Sequence, residues 1–183
     1  MIKGDQAIHI PEPKFSHLLF SHTRFSWVWL LLRLYIGYEW FMAGWEKVFN
    51  PKWVGAEAGT ALTGFLRNIS WGLAGSGSAV SPWYNYLIQN FGLPHTVLIS
   101  YLVVYGELIV GILLFLGAFT GIAAFLGIFM NFNYLFAGVV SVNPLFVIIE
   151  IFLILAWRNA GWWGLDRYLL PKFGVPWKRG YTA

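Results

Sequence analysis

Cysteine is absent from the chain, and charge is scarce. Without a thiol the chain itself can form no disulfide, ligate no iron–sulfur cluster and run no thiol redox relay, and no persulfide or thiosulfonate can be built on it. Asp, Glu, Lys and Arg make up 11% of the 183 residues, against about 25% in soluble domains. Histidine is also sparse. His9, His17 and His22 fall at no metal-motif spacing and His95 stands alone, so no pair is offered for haem or for a metal. The net charge of +4 is dispersed among apolar segments and forms no patch for phosphates, which excludes a nucleic-acid binder.

What is present is apolar. Hydrophobic residues reach 58% with 11 Trp, and the mean hydropathy is +0.62. These values describe an all-α integral membrane protein, a four-helix transmembrane bundle. Short interfacial helices are expected in the loop between its first two spans and at the C-terminus. Residues 1–24 read as a polar N-terminal arm, residues 25–163 as the bundle, and residues 164–183 as an interfacial cytoplasmic tail. The spans are expected at about 25–49, 95–117, 120–140 and 144–160. No small-residue cleavage site follows the first span, so it reads as a retained helix.

The connection between the first two spans, residues 50–94, contains a short amphipathic pattern with Val54, Ala58, Ala61, Leu62 and Phe65 on one side. A Gly/Ser-rich link at 72–79 follows. Ser81-Pro82 then starts a further short helix that Gly92 and Pro94 are expected to end. These pieces are expected on the membrane surface or folded over the bundle. Gly117 closes the second span and Thr120 can cap the third; Asn143-Pro144 starts the fourth. Lys and Arg concentrate near the two termini, which places both in the cytoplasm and residues 50–94 outside.

The first span carries four formal charges: Arg33, Glu39, Glu46 and Lys47. At ~100° per residue, Arg33, Gly37, Trp40, Gly44 and Lys47 form one stripe, and Glu39 and Glu46 a second. Both sides are therefore expected to be packed, with the glycines admitting a neighbouring backbone. On the third span, Gly127, Asn131, Tyr134 and Gly138 form a similar close-packing stripe.

In an antiparallel bundle Glu39, Glu107, Asn131 and Glu150 fall within roughly two turns, about 10 Å, of each other, with Arg33 the one deep cation. Arg33 and Glu107 are expected to pair. A surplus carboxyl in low dielectric is expected to keep its proton, which suits proton or quinone chemistry. Glu107, Arg33, Glu39 and Glu150 are therefore the candidate catalytic groups, with Glu107 the first choice as proton donor because Gly106 and Gly111 leave room beside it. Trp40, Trp45, Tyr105 and Tyr134 are candidate walls of a quinone slot, and Asn131 a hydrogen-bond donor to a quinone carbonyl.

The pattern Arg33-x3-Gly37-x-Glu39-Trp40-x3-Gly44-x2-Lys47, then Tyr105-Gly106-Glu107-x3-Gly111, then Asn131, and the tail Gly161-x2-Gly164-Leu165-Asp166-Arg167-Tyr168 resembles the DoxX/DoxD family of prokaryotic membrane proteins. The resemblance runs from about Arg33 to Pro171. It implies a four-helix bundle in the cytoplasmic membrane. Its DoxD type further implies the membrane subunit of a thiosulfate:quinone oxidoreductase, which makes tetrathionate and passes electrons to quinone with a partner subunit. On that reading quinone is a diffusible substrate and no resident metal or haem is expected. Lys47, Lys52 and Arg67 are then the outer-side candidates for anion binding. The expected partners are membrane lipid and a second protein subunit, with a homo-oligomer left open. Two alternatives stand beside it: a non-catalytic membrane anchor or assembly partner of redox and sulfur enzymes, and a small transporter or proton conduit.

Overall fold

A computed structural model describes residues 13–70 and 80–173. The described residues form helices joined by turns, without a strand. We number the α-helices that follow the first described turns α1 Ser26–Val48, α2 Thr60–Ser70, α3 Pro82–Leu87, α4 Thr96–Leu116, α5 Thr120–Phe136, α6 Asn143–Leu155 and α7 Asp166–Leu169. The Gly/Ser link at 72–79 lies outside the described residues, as do residues 1–12 and 174–183.

The expected polar arm is, over its described part, a hook of helical turns. Lys14–Ser16 leads into a wide turn at His17–Ser21 and a tight one at Thr23–Phe25. Phe20 stacks on Trp29 and on Phe152, and the Trp29 indole N–H donates to the Leu19 carbonyl at 3.0 Å. Asn159 Nδ2 donates to the carbonyls of Leu19 and His22, so the hook is pinned to the chain segment that follows α6.

Gly92 and Pro94 do not end a helix. The chain stays helical from Pro82 to Leu116, 35 residues. A wide π turn at Ile88–Gly92 and a 3-10 turn at Leu93–His95 replace α winding there. Proline lacks an N–H and its ring presses on the carbonyl four residues back, and changed winding accommodates both without a break. The outer end of this helix, α2 and the turns at 50–59 enclose a small second core of Leu62, Leu66, Val80 and Ile88.

α1 and α4 run antiparallel with their backbones in contact. A Cβ on Gly37 would lie 2.8 Å from the Phe115 nitrogen, and one on Gly44 2.8 Å from the Leu108 nitrogen; one on Gly111 would strike the backbone of Phe41. α4 turns back into α5 through Gly117, whose left-handed φ of 66° lets Ala118 N–H reach the Leu113 carbonyl at 2.9 Å. α5 is shorter than expected. Gly138 adopts φ 81° and stops the helix two residues earlier, so it is an end signal and not part of the close-packing face. α6 also ends early, at Leu155, and the chain continues in turns to α7.

The bundle is inverted relative to a water-soluble protein. Its buried residues include Arg33, Glu107, Asn131, Glu150, Asn159 and Asp166, while Leu102, Ile122, Phe125, Phe129 and Ile148 face outward. Pro82–Leu116 is the one helix among the described residues that is long and apolar enough to cross a membrane by itself; Thr120–Phe136 and Asn143–Leu155 are shorter apolar helices.

Gly37→Leu and Gly44→Leu should each separate α1 from α4. The expected penalty is about 1–3 kcal/mol of stability, the usual range for overpacking. A thermal melt of detergent-solubilised protein checks this, and an unchanged midpoint for both variants contradicts the contact.

Candidate functional site

The polar residues separate into three groups, and the stripe along α1 reaches all of them. Arg33, Gly37, Trp40 and Gly44 are buried, and Lys47 is half-buried. The second stripe behaves differently. Glu46 is exposed, Glu39 is half-buried, and neither makes a hydrogen bond or ion pair among the described residues. The expectation that α1 is packed on both sides therefore fails within this one chain.

At the end of the bundle where α4 turns into α5, Arg33 is 1% exposed and binds backbone. Its Nη1 donates to the carbonyls of Leu114 and Phe115 at 2.6 and 2.9 Å, and its Nη2 to the Trp163 carbonyl at 3.3 Å. Leu114 and Phe115 belong to the last turn of α4, whose carbonyls lack helical partners and carry partial negative charge. The expected Arg33–Glu107 pair does not form. In the antiparallel register Arg33 lies opposite the end of α4, about two turns from Glu107.

The same end explains the tail motif. Asp166 is fully buried and accepts from the backbone N–H groups of Phe119 at 2.5 Å and Thr120 at 2.9 Å. It therefore caps α5 from 46 residues downstream, the role expected of Thr120, whose own hydroxyl is buried without a partner. Backbone bonds from Leu165 to Leu116 and from Asp166 to Gly117 complete the clamp. Gly164 is needed because a Cβ would lie 2.7 Å from the Leu116 carbonyl oxygen, and Gly161 because a Cβ would strike the Asp166 carboxylate.

The second group is Lys47, Glu107 and Tyr134. Lys47 Nζ donates to both Glu107 oxygens, at 2.7 and 2.9 Å, and to the Ala43 carbonyl at 3.2 Å. Tyr134 donates its hydroxyl to Glu107 Oε1 at 2.6 Å. The ammonium also lies 5.4 Å from the Trp53 ring centre. Lys47 is thus the cation of the buried ion pair. With all three N–H groups engaged inside the protein, it is poorly placed as a surface anion ligand.

The third group is Trp40, Asn131 and Glu150. The Trp40 indole N–H donates to Glu150 Oε1 at 2.7 Å, and Asn131 Nδ2 to Glu150 Oε2 at 2.8 Å. Glu150 is fully buried, and no cation pairs with it among the described residues. Asn131 Oδ1 is buried without a hydrogen-bond partner. Gly127 makes room for the carboxyl, since a Cβ there would collide with Glu150 Oε1. Asn131 and Tyr134 are one turn apart on α5, so this helix presents one hydrogen-bonding residue to each carboxyl.

A profile of the DoxX family matches residues 28–139. The chain belongs to the DoxX family. No curated protein and no solved structure matches it. The DoxX match covers α1, α4 and α5, and so includes Arg33, Lys47, Glu107, Asn131 and Tyr134. Glu150 and the Asp166 clamp lie beyond it.

The structure does not gather the proposed quinone walls into one slot. Trp40 and Tyr134 serve different carboxyls, and Trp45 and Tyr105 face outward. Lys52 and Arg67 are exposed. Sequence reasoning missed Asp166 and Asn159 as anchoring groups and gave Glu107 the wrong cation. The α1–α4 register carried the missing signal: once Gly44 and Gly37 face α4, Lys47 arrives at Glu107.

Removing either member of the buried ion pair leaves the other uncompensated, at roughly 3–5 kcal/mol. Lys47→Met and Glu107→Gln should each lower stability strongly, and the double variant should lose less than the two single losses combined. A double-mutant cycle from chemical denaturation measures this; simple additivity contradicts the pair.

Proposed function

We propose that the chain is a membrane-spanning subunit of a quinone-linked oxidoreductase, and that Glu150 is its proton-exchanging group. The observation that carries the reading is the Trp40–Glu150–Asn131 group. Lys47 forms an ion pair with Glu107, whereas no cation pairs with Glu150 among the described residues. The Asn131 amide suits either state of this carboxyl. Its NH2 donates to a carboxylate; turned over, its free Oδ1 accepts an O–H. A carboxyl that keeps its hydrogen bond in both states can take and give a proton without unfolding its surroundings.

Quinone reduction consumes two electrons and two protons. On a chain without cysteine or a haem-ligating His pair, the electrons are supplied by a partner subunit's donor. Thiosulfate remains the donor suggested by resemblance to the DoxD type, with its oxidation carried by the partner. Quinone would approach between α1 and α6, where Trp40 and Phe146 stand 6.4 Å apart in front of Glu150. Four spans, α1, α4, α5 and α6, then carry the apolar outer faces into lipid. α4 supplies a full-length apolar crossing, α1 has the length of one with its charged stripe turned inward, and the shorter α5 and α6 would be completed by interfacial turns.

The Lys and Arg distribution puts both termini in the cytoplasm. Single cysteines at the exposed positions Lys52 and Lys172 should label from opposite sides of sealed vesicles with an impermeant thiol reagent. Labelling of both from one side contradicts this topology.

A second reading has its own observation. Both oxygens of each buried carboxyl already accept hydrogen bonds from the chain itself. Such closure also suits a non-catalytic anchor for a redox partner. Glu150→Gln separates the two. It keeps the size and the Trp40 contact but removes the exchangeable proton. On the redox reading it should preserve the fold and slow quinol formation by about 100-fold or more, the usual scale of general acid catalysis. A carboxyl infrared band that responds to added quinone in the parent protein should vanish in this variant. Wild-type quinol formation with no such band leaves the anchor reading.

A further inference from the structure

Glu39 and Glu46 lie on the one face of α1 that this chain leaves uncovered. The face has a regular plan. Leu31, Tyr35, Met42 and Phe49 run down its middle, the last three at seven-residue steps. At ~100° per residue, Tyr38 and Trp45 flank that line on one side, and Glu39 and Glu46 flank it on the other. Tyr38 is 54% exposed, Trp45 46% and Phe49 68%. No hydrogen bond is made by the Tyr38 hydroxyl, the Trp45 indole N–H or either carboxyl among the described residues, whereas the buried acids Glu107, Glu150 and Asp166 all accept hydrogen bonds. Two donors and two acceptors are thus repeated seven residues apart on one helix face.

A two-fold axis along the membrane normal converts this plan into pairing. When two copies of a helix face each other in parallel about such an axis, the left flank of one meets the right flank of the other. Tyr38 of one copy then faces Glu39 of the second, and Trp45 faces Glu46, with each pair formed twice. The depths differ by only ~1.5 Å within each pair. The seven-residue repeat is that of a left-handed helix pair, with Tyr35, Met42 and Phe49 along its seam. In hydrocarbon, an unmatched carboxyl and hydroxyl on a lipid-facing helix are costly, and the second copy supplies what each lacks. We propose that the protein is a homodimer in which α1 pairs with α1 of the second copy through Tyr38–Glu39 and Trp45–Glu46 hydrogen bonds. The interface is isologous, so it closes at two copies. This inference uses the membrane-spanning arrangement and is independent of the quinone chemistry.

The absence of native cysteine makes the test direct. Single cysteines are placed at Met42 on the proposed seam and at Phe129 on the outward face of α5, and alkaline-washed membranes are used, so that only inserted protein is examined. Oxidation with copper phenanthroline should cross-link Met42→Cys to a species of twice the monomer mass and leave Phe129→Cys monomeric. Adding Glu39→Leu should weaken dimerisation roughly tenfold, the combined contribution of the two symmetry-related interhelical hydrogen bonds that it removes. Glu39→Gln keeps a carbonyl acceptor and should retain the dimer. Helical circular dichroism and retention in washed membranes confirm that each variant is folded. The proposal is overturned by Met42→Cys cross-linking no faster than Phe129→Cys. Recovery of Met42→Cys joined only to a different protein overturns it as well, as does a Glu39→Leu variant that dimerises like its parent.

Discussion

The contact of the α1 and α4 backbones governs the rest of the bundle. Gly37, Gly44 and Gly111 bring the two helices to a separation that branched side chains would prevent. That approach turns one stripe of α1 inward and sets the antiparallel register. Arg33 then reaches the end of α4, and Lys47 reaches Glu107. Trp40, halfway between, projects past α4 to Glu150 on α6. Side chains from one helix face thus serve three separate polar groups because the facing backbone is close enough to let them pass.

The local signals of the sequence translated well into structure wherever the physics was local. Gly117 stops a helix through a left-handed conformation, Ser81-Pro82 starts one, and the stripe through Arg33, Trp40 and Lys47 is the buried face. Pairings between helices were not legible, because they depend on register. Arg33 and Glu107 looked complementary by charge and approximate depth, but a displacement of two turns assigns them different partners. The same limit hid Asp166. Its motif stood out, yet nothing within the tail indicates that the carboxylate caps a helix 46 residues earlier in the chain. Pro94 misled for another reason: proline was expected to end the helix, whereas a π turn and a 3-10 turn carry the winding through it.

The inner clamp confines charge to the ends of helices. Arg33 meets carbonyls at the negative end of α4, and Asp166 meets N–H groups at the positive end of α5. Both ions bind backbone groups at helix termini, so the tight turn between α4 and α5 and the tail stabilise one another. Both guanidinium NH2 groups of Arg33 are engaged at backbone carbonyls, about two turns from Glu107. The anchoring of Arg33 therefore removes it from the set of groups that can stabilise charge on a bound quinone, and Trp40 and Asn131 are left as the immediate partners of the carboxyl.

This division assigns different duties to two buried acids. An ion pair inside a low-dielectric bundle resists any change of protonation, because neutralising one member strands the other. Glu107 is bound in that way to Lys47 and is further fixed by Tyr134, so its charge belongs to the architecture. Glu150 is held by two neutral donors and by no cation among the described residues. α5 connects the two, presenting Tyr134 to the first carboxyl and Asn131, one turn away, to the second. A perturbation at Glu107 should therefore register mainly as lost stability, whereas one at Glu150 should leave the bundle standing and alter whatever proton traffic passes through it. Stability and turnover are separable readouts in this bundle because the ion-paired carboxyl and the one without a cation among the described residues sit on different helices, each with its own partner on α5.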